Sequence, residues 1–248
     1  MIFKRLACRL GPLAVMLSVM LAGCAATNPA YDDPRDPLEG YNRFMYDVND
    51  KLDRAIIKPL ARGYKAVVPT PVDAGISNFF NNLDDISSIL NNLLQLKLER
   101  AVSDVGRVMI NTTAGLLGLV DVASNYGYPR HNEDFGQTLG HWGVGPGPYF
   151  VLPILGPNDI RDTLGLAVDW YTDPVRQVDP SEWRWGLVAL RGLDQRADLL
   201  SASKVLEEAA LDPYEFTRDA YLQKRRNDVY DNKPPPEEEG LDGPPYYY

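Results

Sequence analysis

The sequence predicts a mainly α-helical protein whose folded body is a single domain with little or no β structure. Apolar residues recur at the i, i+3/i+4, i+7 spacing of one helix face through most of residues 38–231. Alternating strand patterns are sparse, and a short hairpin between residues 126 and 155 stays open as an alternative. A body of this length is enough for one domain with its own core.

Residues 1–23 have the composition of a secretory signal peptide. A basic start precedes an apolar run that ends in Leu-Ala-Gly-Cys at residues 21–24. This stretch resembles a bacterial lipobox, which predicts cleavage after Gly23 and acylation of Cys24. Two or more acyl chains hold a protein stably at a membrane, since each buried methylene contributes roughly 0.8 kcal/mol. The alternatives are an ordinary signal peptide with a chance cysteine and a membrane-spanning anchor, for which the run is short.

Two further segments flank the helical body. Residues 24–37 are rich in Pro, Asp and Ala, and we expect them to form a flexible tether after the lipidated cysteine. Residues 232–248 are acidic, rich in proline and without helical periodicity, which predicts a disordered tail. The three tyrosines that end this tail leave a docking motif as the alternative. The domain organisation is therefore signal peptide, tether, helical domain and tail.

Proline and glycine divide the helical domain into several helices. The apolar pattern that starts at Leu38 is interrupted at Pro59 and Gly63 and ends at residues 68–71. Further helices are expected to start near Pro71, Glu99, Ser181 and Pro213.

Charge and cysteine content exclude several classes of protein. The formal net charge is −9, and removal of Lys4, Arg5 and Arg9 with the signal peptide makes the mature chain more negative. Such a chain is a poor match to nucleic acid, which attracts basic patches. Only Cys8 and Cys24 are present, so no disulfide and no thiol nucleophile is expected in the mature protein.

Three long stretches carry no charged side chain when histidine is neutral, namely residues 86–96, 108–120 and 138–158. Surface helices of water-soluble proteins usually carry many charges. One alternative is that these stretches form a buried core with internally bonded amides. The other is that they face lipid hydrocarbon or line an amphipathic passage, where charges are costly. None of them is long and unbroken enough to span a bilayer as one helix.

Candidate catalytic and metal-binding groups are weak. No serine lies in a Gly-x-Ser-x-Gly elbow. His131 and His141 with the intervening residues fit no metal-ligand spacing, and the adjacent Glu133 and Asp134 tend to point apart rather than form a catalytic pair. The glycines at 143–147 lack the Lys-Ser/Thr of a phosphate loop. We therefore expect no catalytic residue, no metal and no cofactor.

From about Asp36 to Asp231 the chain resembles the MlaA (VacJ) family of outer-membrane lipoproteins. The strongest motif is EDFGQTLGHWGV at residues 133–144. The other segments that carry the resemblance are DPLEGYNRFM at 36–45, NFFNNL at 78–83, NLLQ at 92–95, NTTAG at 111–115, GPY at 147–149, Gly156-Pro157, Arg161-Asp162 and DPY at 212–214.

The resemblance implies a ring-like, mainly helical protein that lies in the inner leaflet of the outer membrane around an amphipathic channel. It implies removal of mislocalised glycerophospholipids from the outer leaflet and their transfer to a soluble periplasmic carrier, in association with a trimeric porin. Ala25 after the acylated cysteine is similar to lipoproteins sorted to the outer membrane. A periplasmic lipoprotein hydrolase and a porin-associated structural lipoprotein are the alternatives.

Two sets of residues become candidates under this resemblance. The polar helix faces that would turn inward supply the candidate channel lining, which comprises Asn78, Asn82, Asn92, Asn111 and Thr112. The glycine-rich stretch between residues 136 and 156 supplies a candidate gating loop, with Gly136, Gly140, Gly143, Gly145 and Gly147.

Overall fold

The computed structural model describes residues 33–236 of the 248-residue chain. The predicted signal peptide, the cleavage site at Gly23, the acylation site Cys24, most of the tether and most of the tail lie outside the described residues.

Helices make up most of the described chain. In chain order they are α1 (Glu39–Leu52), α2 (Lys58–Val67), α3 (Thr70–Leu94), α4 (Leu98–Thr113), α5 (Phe135–His141), α6 (Ile160–Thr172), α7 (Ser181–Asp198), α8 (Leu200–Ala209) and α9 (Pro213–Val229). A π-helical turn over Asp53–Ile57 joins α1 to α2, and short 3₁₀ turns cover Ala123–Tyr126 and Pro174–Gln177. The prediction of a mainly helical fold is confirmed.

One antiparallel hairpin is the sheet found in residues 33–236. Its strands are β1 (Tyr149–Leu152) and β2 (Gly156–Asp159), and Leu152 lies opposite Gly156 at the turn. Gly156 has a φ of 81°, a left-handed conformation that favours glycine. The sequence left open a hairpin between residues 126 and 155. The observed hairpin begins within that range, at Tyr149, and ends beyond it, at Asp159.

The periodic segments predicted as helices correspond to α1 with α2, to α3, to α4, to α7 with α8, and to α9, whereas α5 and α6 were missed. The predicted interruption of the first segment at Pro59 and Gly63 is wrong, since the chain stays helical from Glu39 to Val67. Pro59 lies at the start of α2, where a missing N–H costs no helical hydrogen bond. The two missed helices, α5 and α6, each begin directly after an aspartate whose side chain caps the helix. Asp134 accepts a hydrogen bond from Gln137 N at α5, and Asp159 accepts one from Asp162 N at α6.

The interior of the protein is unusually polar. Among the described residues, 20 buried side chains are polar or charged, whereas 11 are apolar, glycine aside. A conventional apolar cluster is found between α2 and α7, where Ala61, Tyr64 and Ala197 are buried. The contact between α3 and α4 is instead built from buried asparagine, aspartate and arginine.

The exterior is correspondingly apolar. Exposed large apolar side chains occur along all three uncharged stretches, among them Leu93, Leu96, Met109, Leu116, Leu117, Trp142 and Ile154. A sealed core is therefore the wrong interpretation for these stretches, because their polar side chains turn inward and many of their apolar side chains turn outward. No helix within residues 33–236 has both the length and the apolar character that crossing a membrane requires.

Candidate functional site

A closed ring of contacting elements surrounds a cavity. Going round it, α1 contacts the hairpin, the hairpin contacts α9, α9 contacts α8, α8 contacts α2, and the π-helical turn joins α2 back to α1. We call the enclosed space, about 720 Å³, the ring cavity. This volume lies within the range of about 300–1,000 Å³ that is common for ligand sites.

The lining of the ring cavity is amphipathic. Its apolar part includes Leu52, Ile57, Leu60, Val151, Leu193 and Leu206, and its polar part includes Asn49, Asp50, Asp53, Arg54, Arg196 and Glu207. The cavity can therefore contact an apolar and a polar part of one ligand at the same time.

Ion pairs tie the polar wall of the ring cavity together. Arg196 on α7 donates to both carboxylate oxygens of Asp53 in the π-helical turn, at 2.7 and 2.8 Å. Lys58 donates to Glu207 at 2.5 Å, and this hydrogen bond holds the pKa of Glu207 below its ordinary value. Because π-helical turns are rare and frequently mark functional sites, this wall is a natural place for a ligand.

Two asparagines on α1 fix the hairpin in the wall of the ring cavity. Asn42 is fully buried and accepts from Val151 N at 2.8 Å, while its amide donates to Tyr149 O at 3.2 Å. Asn49, one heptad later, donates to Leu152 O and accepts from Ile154 N, both at 2.8 Å. The sequence analysis missed this pair, although its i, i+7 spacing on the first helix was a usable signal.

A second cavity of about 850 Å³ lies where the loop between α5 and β1 faces the C-terminal half of α9. We call it the arginine cavity, because Arg35, Arg161, Arg225 and Arg226 line it together with the carboxylates of Asp159 and Asp219. Four of the five predicted gating glycines line it as well, namely Gly140, Gly143, Gly145 and Gly147. The remaining one, Gly136, is buried, and a side chain there would meet Asp162 and Arg225.

Tightly paired charges support the floor of the arginine cavity. Arg225 donates to both oxygens of Asp134, at 2.6 and 3.0 Å, and also to Asp162. Although burial opposes the effect, this guanidinium holds the pKa of Asp134 and of Asp162 below the ordinary value. Burial, helped by the neighbouring Asp162 carboxylate, raises the pKa of Asp159 to about 6.

An aromatic cluster lies between the two cavities. The buried residues Tyr149, Val151 and Tyr214 pack against Tyr46, which lines the ring cavity, and against Leu222, which lines the arginine cavity. The Tyr214 hydroxyl donates to Asp36, whereas the buried Tyr149 hydroxyl has no hydrogen-bond partner within residues 33–236. The hairpin and α9 therefore serve both cavities as shared walls.

The five predicted channel-lining residues lie on α3 and α4, and they bond across these two helices or to the turn that follows α4. Asn82 donates to the Thr112 hydroxyl at 3.1 Å, and Asn92 donates to Asp104 at 2.9 Å. Asn111 accepts from the backbone N–H groups of residues 122 and 123, and Asn78 donates to a backbone carbonyl at residue 119. None of the five is among the residues that line either large cavity, and their part in a passage stays a prediction.

The residues considered for catalysis are engaged in structural contacts. His131 Nδ1 lies 2.8 Å from Asp104 Oδ1. Glu133 accepts from Gln95 at 2.9 Å and pairs with Lys97 and Arg100 at 3.4 Å. Within residues 33–236, no three His, Cys, Asp or Glu side chains are grouped as ligands for one metal ion.

Comparison with known proteins gives one consistent family. The MlaA lipoprotein family matches residues 34–228. The chain is 36% identical over 227 residues to the intermembrane phospholipid transport system lipoprotein MlaA of Escherichia coli K12, which covers 87% of this chain and 86% of the relative. It is 34% identical to the MlaA protein of Haemophilus influenzae, over 89% of this chain and 90% of the relative.

Two further similarities extend this finding. An uncharacterised protein of Rickettsia felis is 36% identical over 195 residues, which is 78% of each chain. A structure solved in work on the structural basis for maintenance of bacterial outer membrane lipid asymmetry has a TM-score of 0.69 and 36% identity. It covers 78% of this chain and 98% of its own.

Proposed function

From the premise that this chain belongs to the MlaA lipoprotein family, we propose that it removes mislocalised glycerophospholipids from the outer leaflet of the outer membrane and passes them to a soluble periplasmic carrier. The result of this activity is the maintenance of lipid asymmetry. We further propose that Cys24 carries the acyl anchor, that the body lies in the periplasmic leaflet, and that a trimeric porin is its partner.

The observation that carries this proposal is the inverted distribution of side chains around a cavity. A protein surrounded by hydrocarbon must satisfy its polar groups internally, and it loses nothing by exposing leucine and valine. Residues 33–236 follow this rule, with a buried polar interior and exposed apolar side chains on the uncharged stretches.

The ring cavity suits the proposed cargo. A glycerophospholipid has a charged headgroup and apolar tails, and the cavity presents both charged side chains, such as Asp53, Arg54 and Arg196, and apolar ones, such as Leu52, Ile57 and Val151. The headgroup would pass along the polar wall while the tails stay in apolar surroundings. This movement breaks no covalent bond, so no catalytic group is required. The direction of transfer would come from the carrier that takes the lipid away.

A cavity-filling variant tests the proposal with a matched control. Gly192 on α7 lines the ring cavity, and no atom lies within 4 Å of the place where a β-carbon would stand. Gly186 lies on the same helix, is equally open, and lines neither large cavity. In a strain that lacks the gene, we expect a plasmid with Gly186→Trp to clear phospholipid from the cell surface, as wild type does, and one with Gly192→Trp to leave it there.

The measurement is the amount of phospholipid accessible to a phospholipase added outside the cells. If the gene deletion leaves surface phospholipid unchanged, the proposed transport function is wrong. Turnover of phospholipid by the purified protein would instead support the hydrolase alternative. A Cys24→Ala plasmid tests the anchor, and we expect it to restore clearance poorly.

A further inference from the structure

The arginine cavity has no role in the passage of lipid through the ring cavity, yet it has the features of a built anion site. Its lining reverses the charge of the chain, because four arginines face two aspartates in a protein whose net charge is −9. Asp134 and Asp162 already neutralise Arg225, so a bound anion would need an arginine that keeps an unused nitrogen.

Arg161 keeps such a nitrogen at the bottom of the cavity. Its side chain is only 6% exposed, Nε donates to Asp162 at 3.0 Å, and Nη2 lies 2.9 Å from Asp162 and 3.5 Å from Asp159. Nη1 makes no hydrogen bond with residues 33–236. Unlike the buried polar atoms that lack a partner, it keeps some solvent-accessible surface. Because Arg161 lines the arginine cavity, this nitrogen is available to a group bound there. A charged donor in a mostly buried side chain is costly when unpaired, so this position favours an acceptor from outside the chain.

Arg35 presents a second unused nitrogen at the same cavity. Its Nε and Nη2 pair with Asp33 at 2.7–3.1 Å, and Nη2 lies 3.4 Å from Asp219. Its Nη1 has no hydrogen-bond partner within residues 33–236, and the side chain is 59% exposed. Two guanidinium groups that both offer donors to one space match a phosphate, whose oxygens accept several charge-assisted hydrogen bonds.

The rest of the lining indicates what the phosphate is attached to. Val144, Pro146, Leu222 and Val229 add apolar surface beside the arginines. A volume of about 850 Å³ exceeds the needs of an inorganic ion and leaves room for a glycerol backbone and the first carbons of its chains. The hairpin and α9 also wall the ring cavity, so the two cavities share these elements.

We propose that the arginine cavity binds the phosphate of a glycerophospholipid headgroup through Arg161 and Arg35, as a second lipid site after the ring cavity. This inference rests on the proposed transport function. It also gives the predicted gating glycines a role. Gly143 and Gly145 have no atom within 4 Å of a β-carbon position, so their backbone stays open for a ligand.

Binding of short-chain lipid to the purified full-length protein tests this proposal. The titrations use the Gly192→Trp background, in which the ring cavity is filled, and three probes: dihexanoyl phosphatidylglycerol, dihexanoylglycerol without phosphate, and inorganic phosphate. We expect the phospholipid to bind at least tenfold more tightly than either other probe. Equal binding of dihexanoylglycerol, or equal binding of inorganic phosphate, would overturn the assignment to a lipid phosphate.

Amino-acid substitutions test whether the phospholipid binds in the arginine cavity. Arg161→Gln is expected to weaken phospholipid binding at least tenfold and Arg35→Gln about threefold, because Arg35 is more exposed to water. Since Arg161 is buried and its replacement can disturb folding, Gly145→Trp provides a second arm, which fills the cavity from an open loop position and should abolish binding. Gly63→Trp, equally open but on α2 and lining neither large cavity, is the control and should bind normally.

The two proposals fail in distinguishable ways. Unchanged phospholipid binding in Arg161→Gln and Gly145→Trp overturns the arginine site, while the transport function still stands if Gly192→Trp leaves surface phospholipid in cells. The transport function is instead overturned if the gene deletion leaves surface phospholipid unchanged, whatever the titrations give.

Discussion

The α3–α4 pair and the α2–α7 pair are packed by opposite rules. Between α2 and α7, Ala61, Tyr64 and Ala197 are buried as an apolar cluster. Between α3 and α4, Asp85 and Arg107 are 0% and 2% exposed and form an ion pair at 3.2 Å. Several leucines and valines of α3 and α4 are instead exposed, among them Leu90, Leu93 and Val102.

This difference teaches that two parts of one chain are built for different surroundings. Apolar burial drives association in water, which explains the α2–α7 contact. In hydrocarbon that driving force is absent, and helices are joined by small residues, close packing and hydrogen bonds between polar side chains. The α3–α4 contact has this second character, because Asn92 bonds to Asp104, Asn82 bonds to Thr112, and Leu93 and Met109 face outward.

The largest effect is expected from breaking the buried ion pair of α3–α4. Asp85→Ala leaves the Arg107 guanidinium buried with fewer partners, and the loss of one member of a buried pair typically costs about 3–5 kcal/mol. We expect a correspondingly lower free energy of unfolding in detergent, measured by denaturant titration. Lys204→Ala is the control, since the Lys204–Glu208 pair is 75% and 68% exposed and should contribute about 0–1 kcal/mol. Equal effects of the two variants would contradict a polar core.

A moderate effect is expected from overfilling the apolar cluster of α2–α7. Ala61 is completely buried, so Ala61→Leu should force its neighbours apart and lower the stability by about 1–3 kcal/mol. Ala66 lies on the same helix and is exposed, so Ala66→Leu should leave the unfolding midpoint nearly unchanged. If both substitutions were tolerated equally, the α2–α7 contact would not be a packed core.

The smallest effect on stability is expected where a leucine faces outward. Leu93 is 47% exposed on α3, so Leu93→Gln should change the free energy of unfolding in detergent by less than about 0.5 kcal/mol. The same substitution at Leu193, which packs against the α2–α7 cluster, should be clearly destabilising. Leu93→Gln should nevertheless weaken association with phospholipid vesicles in a flotation assay, because it removes exposed apolar surface that we propose to contact lipid. A stability loss at Leu93 as large as that at Leu193 would place Leu93 in a core.

The helices were largely predictable, but the faces they bury were not. Periodicity gives the two faces of α3 and α4, and it does not say which face turns inward, so the sequence left a sealed core and a lipid-facing surface as alternatives. The continuity of α1 and α2 shows a different limit, because a proline at the start of a helix and a proline that interrupts a helix look alike in the sequence when the π-helical turn before Pro59 is not known.

Only the site residues that lie close together in the sequence could be predicted. Gly140, Gly143, Gly145 and Gly147 are close in sequence, and the structure places all four at one cavity. Arg35, Arg161 and Arg226 are brought to the same cavity from distant parts of the chain, and no short motif marks their meeting. The asparagines chosen as channel lining have the expected polar character, but the contact between α3 and α4 engages their side chains.

The central claim, that the exposed apolar surface of this protein faces hydrocarbon, is tested most directly by a spin label at Leu117. The chain has only Cys8 and Cys24, the first in the predicted signal peptide and the second expected to be acylated, so Leu117→Cys supplies a single reactive thiol. Leu117 is 70% exposed, and Lys204→Cys on α8 provides a water-facing control. In phospholipid vesicles we predict that oxygen relaxes the label at position 117 more than a water-soluble nickel chelate does, with the reverse at position 204. Stronger relaxation by the nickel chelate at both positions would contradict the account.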